Sequence, residues 1–134
     1  MAQIIIDAEE SVFGRLCSYA AKQALEGNEI IIVNSEKAII SGNKTEIFEK
    51  FKVLRAKGGH SQKGPKYSKV PFMMLKRGIR GMLPDFRKGQ GKQAFQRIKC
   101  YDGIPEEFKN KKIIKLEIQR PKKYTQLKEL STRL

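Results

Sequence analysis

EIIIV, residues 29 to 33, is the stretch on which the fold turns. A half-buried strand alternates apolar with polar residues, and an amphipathic helix repeats its apolar residues every three to four. A short run that is β-branched at four consecutive positions fits neither pattern and suits a strand of a parallel sheet covered on both faces. Upstream, QIII at 3 to 6 is a second such run, ended by Asp7. Between the two, Ser11 offers a helix N-cap. Val12, Leu16, Ala20 and Ala24 then recur at helical spacing with Phe13 and Cys17 beside them, and Gly27 suits a C-terminal stop. Strand, helix and strand in this order assemble most simply as a βαβ unit.

Beyond the bend at Asn34 and Ser35, residues 38 to 40 read as a further short strand. Asn43 with Glu46 resembles a capping box ahead of a helix that turns Ile47, Phe51 and Leu54 inward. The character then changes. AKGGHSQKGPKYSK, residues 56 to 69, mixes glycine, proline and lysine with little apolar content, so it builds no packed element and reads as a long basic loop. It is either a solvated linker or a loop ordered by an anionic partner.

Pro71 can open the next helix, since proline is tolerated in the first turn. At about 100° per residue, Phe72, Leu75, Ile79, Met82 and Leu83 share one arc and form the expected core face. Lys76, Arg77 and Arg80 fill the neighbouring sector, with Gly78 and Gly81 beyond them. Each glycine costs roughly 1 kcal/mol of helix stability relative to alanine. Either a face without Cβ lets an anionic backbone approach, or the glycines pack against a neighbouring helix. After Pro84, residues 89 to 97 suggest one more helix, 98 to 101 a strand, 112 to 118 a strand or extended arm, and Thr125, Leu127 and Leu130 a short terminal helix.

The chain has 134 residues, which suits one domain over 1–134 with one core, and a net charge of +14. That charge is unevenly placed: residues 1–50 carry 5 Lys or Arg against 8 Asp or Glu, residues 51–100 carry 14 against 1, and residues 101–134 carry 9 against 5. So many cations in the middle third repel one another without a polyanion, and phosphates are the natural neutralisers. Tyr67, His60, Phe86 and Phe95 lie among the cations, and planar side chains between Lys and Arg suit RNA with unstacked bases. The start of the chain does not read as a signal peptide, and no apolar run approaches the roughly 20 residues of a membrane span, so a cytoplasmic protein is expected. Cys17 and Cys100 are expected as buried thiols.

Other chemistries lack their residues. One histidine and two cysteines 83 residues apart make no metal cluster. GQGKQA at 89 to 94 matches a dinucleotide fingerprint by spacing, but MLPDFRK precedes it where a buried strand is required, so no cofactor is expected. Phosphate capture by backbone N–H groups at that helix start remains open. A phosphate-binding G-x-x-x-x-G-K-[ST] loop does not occur. Asp7, Glu9 and Glu10 could hold a divalent ion in a small nuclease, though such residues more often open a helix.

RGMLP at 80 to 84, GRL at 14 to 16, VNSEKAIISG at 33 to 42 and YDGIP at 101 to 105 together resemble the large-subunit ribosomal protein thirteen family, over most of residues 3 to 105. The spacing from Pro84 to Gly91 and the tail KYTQLKELSTRL resemble its archaeal or eukaryotic branch. The resemblance implies a three-layer α/β/α body with a mostly parallel four-stranded sheet, extended by a basic loop and further helices, with residues from about 105 to 134 as a C-terminal extension. It implies a structural and assembly role on large-subunit ribosomal RNA beside neighbouring ribosomal proteins, with no catalysis. Within RGMLP it gives Arg80 as an RNA contact and Gly81 as a close-approach position. With it, the region from about 55 to 99 is expected to bind RNA. Lys57, Lys63, Lys66 and Lys69 serve as loop counter-ions, His60 as a stacking or phosphate partner, and Arg77, Arg87 and Arg97 as planar donors. Lys76, Lys88 and Lys92 join them. A metal-dependent nuclease and a free regulatory RNA binder are the rival readings.

Overall fold

The structure is a computed structural model that describes residues 2–56, 68–85, 87–116 and 121–134. The two isoleucine runs are strands β1, Gln3–Asp7, and β2, Glu29–Val33, paired in parallel from Gln3↔Glu29 to Asp7↔Val33. Helix α1, Phe13–Leu25, crosses between them, which completes the βαβ unit. Later strands extend the sheet on both edges. Strand β4, Ile98–Cys100, lies parallel beside β2, and β5, Ile113–Lys115, lies parallel beside β1. The spatial order is β4-β2-β1-β5, so the isoleucine strands are central, as strands apolar on both faces must be.

The two sheet faces are covered unequally. Ile6, Ile30, Ile32, Ile98 and Cys100 share a core with Leu16, Cys17, Ala20 and Ala24 of α1. Ile5, Ile31 and Val33 on the opposite face meet Phe108, from the short 3-10 turn Glu106–Phe108, with Tyr101 and Ile113 at its margin. The architecture is thus three-layered α/β with one outer layer thick and the other reduced to a turn. Both cysteines are buried and free. Burial, helped by the nearby Cys100 sulfur, raises the Cys17 pKa, and burial pushes Cys100 up to about 12 against the pull of Lys76. Both therefore stay protonated and fill the core as small apolar groups.

The remaining elements pack on the thick layer. Strand β3, Ile39–Ser41, does not join the main sheet. It pairs antiparallel with β6, Tyr124–Gln126, and the chain then enters helix α5, Leu127–Arg133, which buries Leu127 and Leu130. The C-terminal segment is thereby fastened to residues 85 positions earlier, where Lys44 of helix α2, Lys44–Ala56, meets Glu129 at 3.2 Å. Asn43 caps α2 as expected, its Oδ1 accepting the N–H of Thr45 at 2.9 Å.

Ser11 departs from expectation. It is buried, its hydroxyl donates to the carbonyl of Asp7, and α1 begins at Phe13 after Val12. A hydroxyl bonded backward to the strand is not available to cap the helix.

Candidate nucleic-acid interface

Helix α3, Pro71–Gly81, and helix α4, Gly89–Gln96, carry the cations. Proline at the first position opens α3. Asp102 lies in the turn after β4. Partial burial and the neighbouring Glu36 raise its pKa, and the backbone N–H of Phe72 at the helix start acts in the opposite sense. Glu36 in turn accepts the N–H of Gly103 at 2.9 Å, while Asn34 and Ser35 donate their backbone N–H groups to Gly103 and Tyr101. The segments VNSEK and YDG, far apart in sequence, thus form one knot at the carboxyl ends of β2 and β4.

On α3, Met74, Leu75 and Ile79 are buried, and Lys76, Arg77 and Arg80 are half-buried. The expected core arc holds for Leu75 and Ile79 but not for Met82, which is 47% exposed. The helix has ended at Gly81, so helical spacing no longer governs Met82, and Met74 takes the inward place instead.

The two glycines of this helix turn out to differ. A Cβ on Gly78 would lie 2.7 Å from the Phe13 ring and 3.1 Å from the Cys17 sulfur, so Gly78 is the point where α3 closes on α1. A Cβ on Gly81 would meet nothing within 4 Å. Of the two explanations for helix glycines, internal packing therefore applies to Gly78, and bare exposed backbone to Gly81. Gly91 is a third case. A Cβ there would run into the carbonyl oxygens of Pro84 and Asp85, so the glycine of GQGK serves the fold of the preceding turn.

Lys76, Arg77, Arg80 and Gly81 line one groove of about 430 Å³. Its apolar walls are Phe13, Phe51, Met73 and Phe95, and the Lys76 ammonium stands 5.1 Å from the centroid of the Phe95 ring, a cation–π distance. Lys69 is exposed at the entry to α3, and Arg87, Lys88 and Lys92 are exposed on the approach to α4 and along it. Arg97 sits elsewhere. Its guanidinium donates to the carbonyl of Ala24 at 2.9 Å, which satisfies the C-terminal end of α1 and suits the helix dipole. Lys57, His60, Lys63 and Lys66 lie outside the described residues.

Sequence reasoning missed Phe13, Phe51 and Met73 as groove walls, because they come from three helices whose meeting is set by tertiary packing. It also missed a second concavity, lined by Lys44, Lys122 and Lys123 together with Glu129 and Gly42. Asp7, considered above as a metal ligand, holds the fold together. Its Oδ1 accepts the N–H of Glu9 at 2.9 Å and the side-chain amide of Asn34 at 3.1 Å.

Comparison with known proteins settles the relationship. The model of the family described as Ribosomal protein L13 matches residues 2–107. The chain belongs to that family. Among its relatives, the large ribosomal subunit protein uL13 of Methanosphaera stadtmanae is 43% identical over 131 residues, covering 96% of this chain and 92% of the relative. That of Methanococcus maripaludis is 48% identical over 106 residues, 77% of each chain. That of Archaeoglobus fulgidus is 37% identical over 133 residues, 95% of this chain and 84% of the relative. The region matched by the ribosomal protein L13 model includes both the Glu36–Gly103 knot and the cationic helices, and ends before β5, β6 and α5. Among the described residues no helix is long and apolar enough to cross a membrane.

Proposed function

We infer that this chain is a structural constituent of the large ribosomal subunit in the cytoplasm, where it binds large-subunit ribosomal RNA, touches neighbouring ribosomal proteins and supports assembly without catalysis. The observation that carries this reading is family membership over residues 2–107 in a chain whose middle third holds 14 cations against one anion. In this reading the whole of 1–134 acts as one domain. The region from about 55 to 99 makes most phosphate contacts, with Lys76, Arg77, Arg80 and Gly81 at the groove and Arg87, Lys88 and Lys92 beside α4. Lys57, Lys63, Lys66 and Lys69 serve as counter-ions to the RNA phosphates, and His60 as a stacking or phosphate partner. Arg97 contributes by fixing the end of α1 as well as by its charge.

Phosphate neutralisation is steeply salt-dependent for a peripheral binder and much less so for a component locked between RNA helices. The test is therefore to sediment a native-source lysate through sucrose gradients at moderate and high salt and to follow the chain by antibody. It should travel with the large subunit and stay there as salt rises. Recovery at the top of the gradient, or release on modest salt addition, would overturn the integral assignment and favour a free RNA binder.

A further inference from the structure

Neutralising phosphates needs only a charged surface, yet the groove beside α3 is a concavity with apolar walls. Its volume of about 430 Å³ lies within the roughly 300–1,000 Å³ typical of sites that enclose a small ring compound. Phe13, Phe51, Met73 and Phe95 come from four different helices to form it. Met73 is 48% exposed, so its long thioether lies on the groove instead of in the core. Among the described residues, every charged residue lining the groove is a cation: Lys76, Arg77 and Arg80. Gly81 also lines the groove, and a Cβ there would meet nothing within 4 Å, so the backbone is bare.

We propose that this groove receives one unstacked base of the bound RNA. The proposal rests on the RNA-binding reading given above and names the part of the nucleic acid that the site would take. The aromatic and thioether walls pack against the faces of the base, while Lys76, Arg77 and Arg80 hold the phosphates on either side of it. A single nucleotide joins a planar apolar face to an anion through one ribose, which matches apolar walls and a cationic rim a few ångströms apart. A protein partner would need a large apolar anchor flanked by several acids to achieve the same match.

The test uses the full-length protein and two single-stranded RNA octamers with equal numbers of phosphates. One is oligo(A), and the other lacks its bases at the two central positions. Base–aromatic stacking predicts that oligo(A) binds tighter by about fivefold to a hundredfold. Met73→Gln and Phe95→Leu, made separately, should each lower that ratio toward one while leaving affinity for the base-free strand unchanged. Met73 is nearly half exposed, so its variant keeps the test decisive should Phe95→Leu fail to fold.

A ratio of one in the unaltered protein overturns the proposal. So does a ratio that survives both variants, or a loss shared equally by both strands. If the strands bind alike and an acidic peptide carrying one tryptophan competes with them, but loses that competition in Met73→Gln, the occupant is a protein and the proposal falls. Salt-dependent binding of both strands at equal strength leaves the RNA-binding reading standing, whereas binding of neither strand even at low salt removes both.

Discussion

Residues 3–41 and residues 71–96 pack into one core, but physical chemistry constrains them differently. In the first region burial fixes the centre of the sheet: Ile5, Ile6, Ile30, Ile31, Ile32 and Val33 are all at most 3% exposed. In the second, burial fixes the inward side of α3 with Gly91 and Ala94 of α4, and the outward side of α3 carries Lys76, Arg77 and Arg80, which are not part of the buried core. The fold is therefore held by the sheet and displayed by the helices. Changes in the sheet should cost stability, whereas changes on the outer side of α3 should cost affinity.

The largest effect expected is on the sheet side. Ile32 is fully buried on the face that meets α1, and Ile32→Ala removes methylenes from a packed site that can relax only in part. It should lose about 2–5 kcal/mol of stability, read as a lower denaturant midpoint in urea. A loss under about 1 kcal/mol would mean that the sheet is not the principal source of stability and would break the comparison.

Gly78 tests the boundary, since it lies on the cationic helix but faces inward. Leucine there would begin 2.7 Å from the Phe13 ring, so Phe13 must move or α3 must lift from α1. Overpacking of this kind costs about 1–3 kcal/mol. Thermal unfolding of Gly78→Leu should show that loss. Full stability would mean that α3 does not close on α1 at this glycine.

How much of this was legible beforehand follows the same division. The βαβ unit could be read because an unbroken isoleucine run has few uses other than a strand covered on both faces. Helices α3 and α4 could be read from Pro71, helical periodicity and the glycines. Position β3 was legible as a strand but not its partner, because pairing with Tyr124–Gln126 closes a loop of more than eighty residues that leaves no local pattern. The same holds for Glu36, whose bond to the Gly103 N–H spans 67 positions. Nor could the sequence separate Gly78 from Gly81. Three residues apart on one helix, they differ only in whether Phe13 stands opposite. The cations of α3 were legible as a charged sector, but the apolar groove they rim depends on Phe13, Phe51 and Phe95 arriving from other helices.

The smallest effect on stability, and the sharpest test of the outward side, is Gly81→Ala. Gly81 closes the last turn of α3, and an added methyl group would touch nothing within 4 Å. Alanine is the better helix former by up to about 1 kcal/mol, so the free protein should be as stable as before or slightly more so. If an RNA backbone passes against the bare peptide, the methyl group stands in its path, and affinity for RNA should fall several-fold although no charge has been removed. The slope of affinity against salt should then stay unchanged, because the number of neutralised phosphates is the same. Removing a cation such as Arg80 would instead lower the slope. A variant that is more stable, weaker in binding and unaltered in salt slope separates close approach from charge, two contributions that composition alone cannot tell apart. Unchanged affinity would show that the exposed backbone at Gly81 is idle and that the cations act without it.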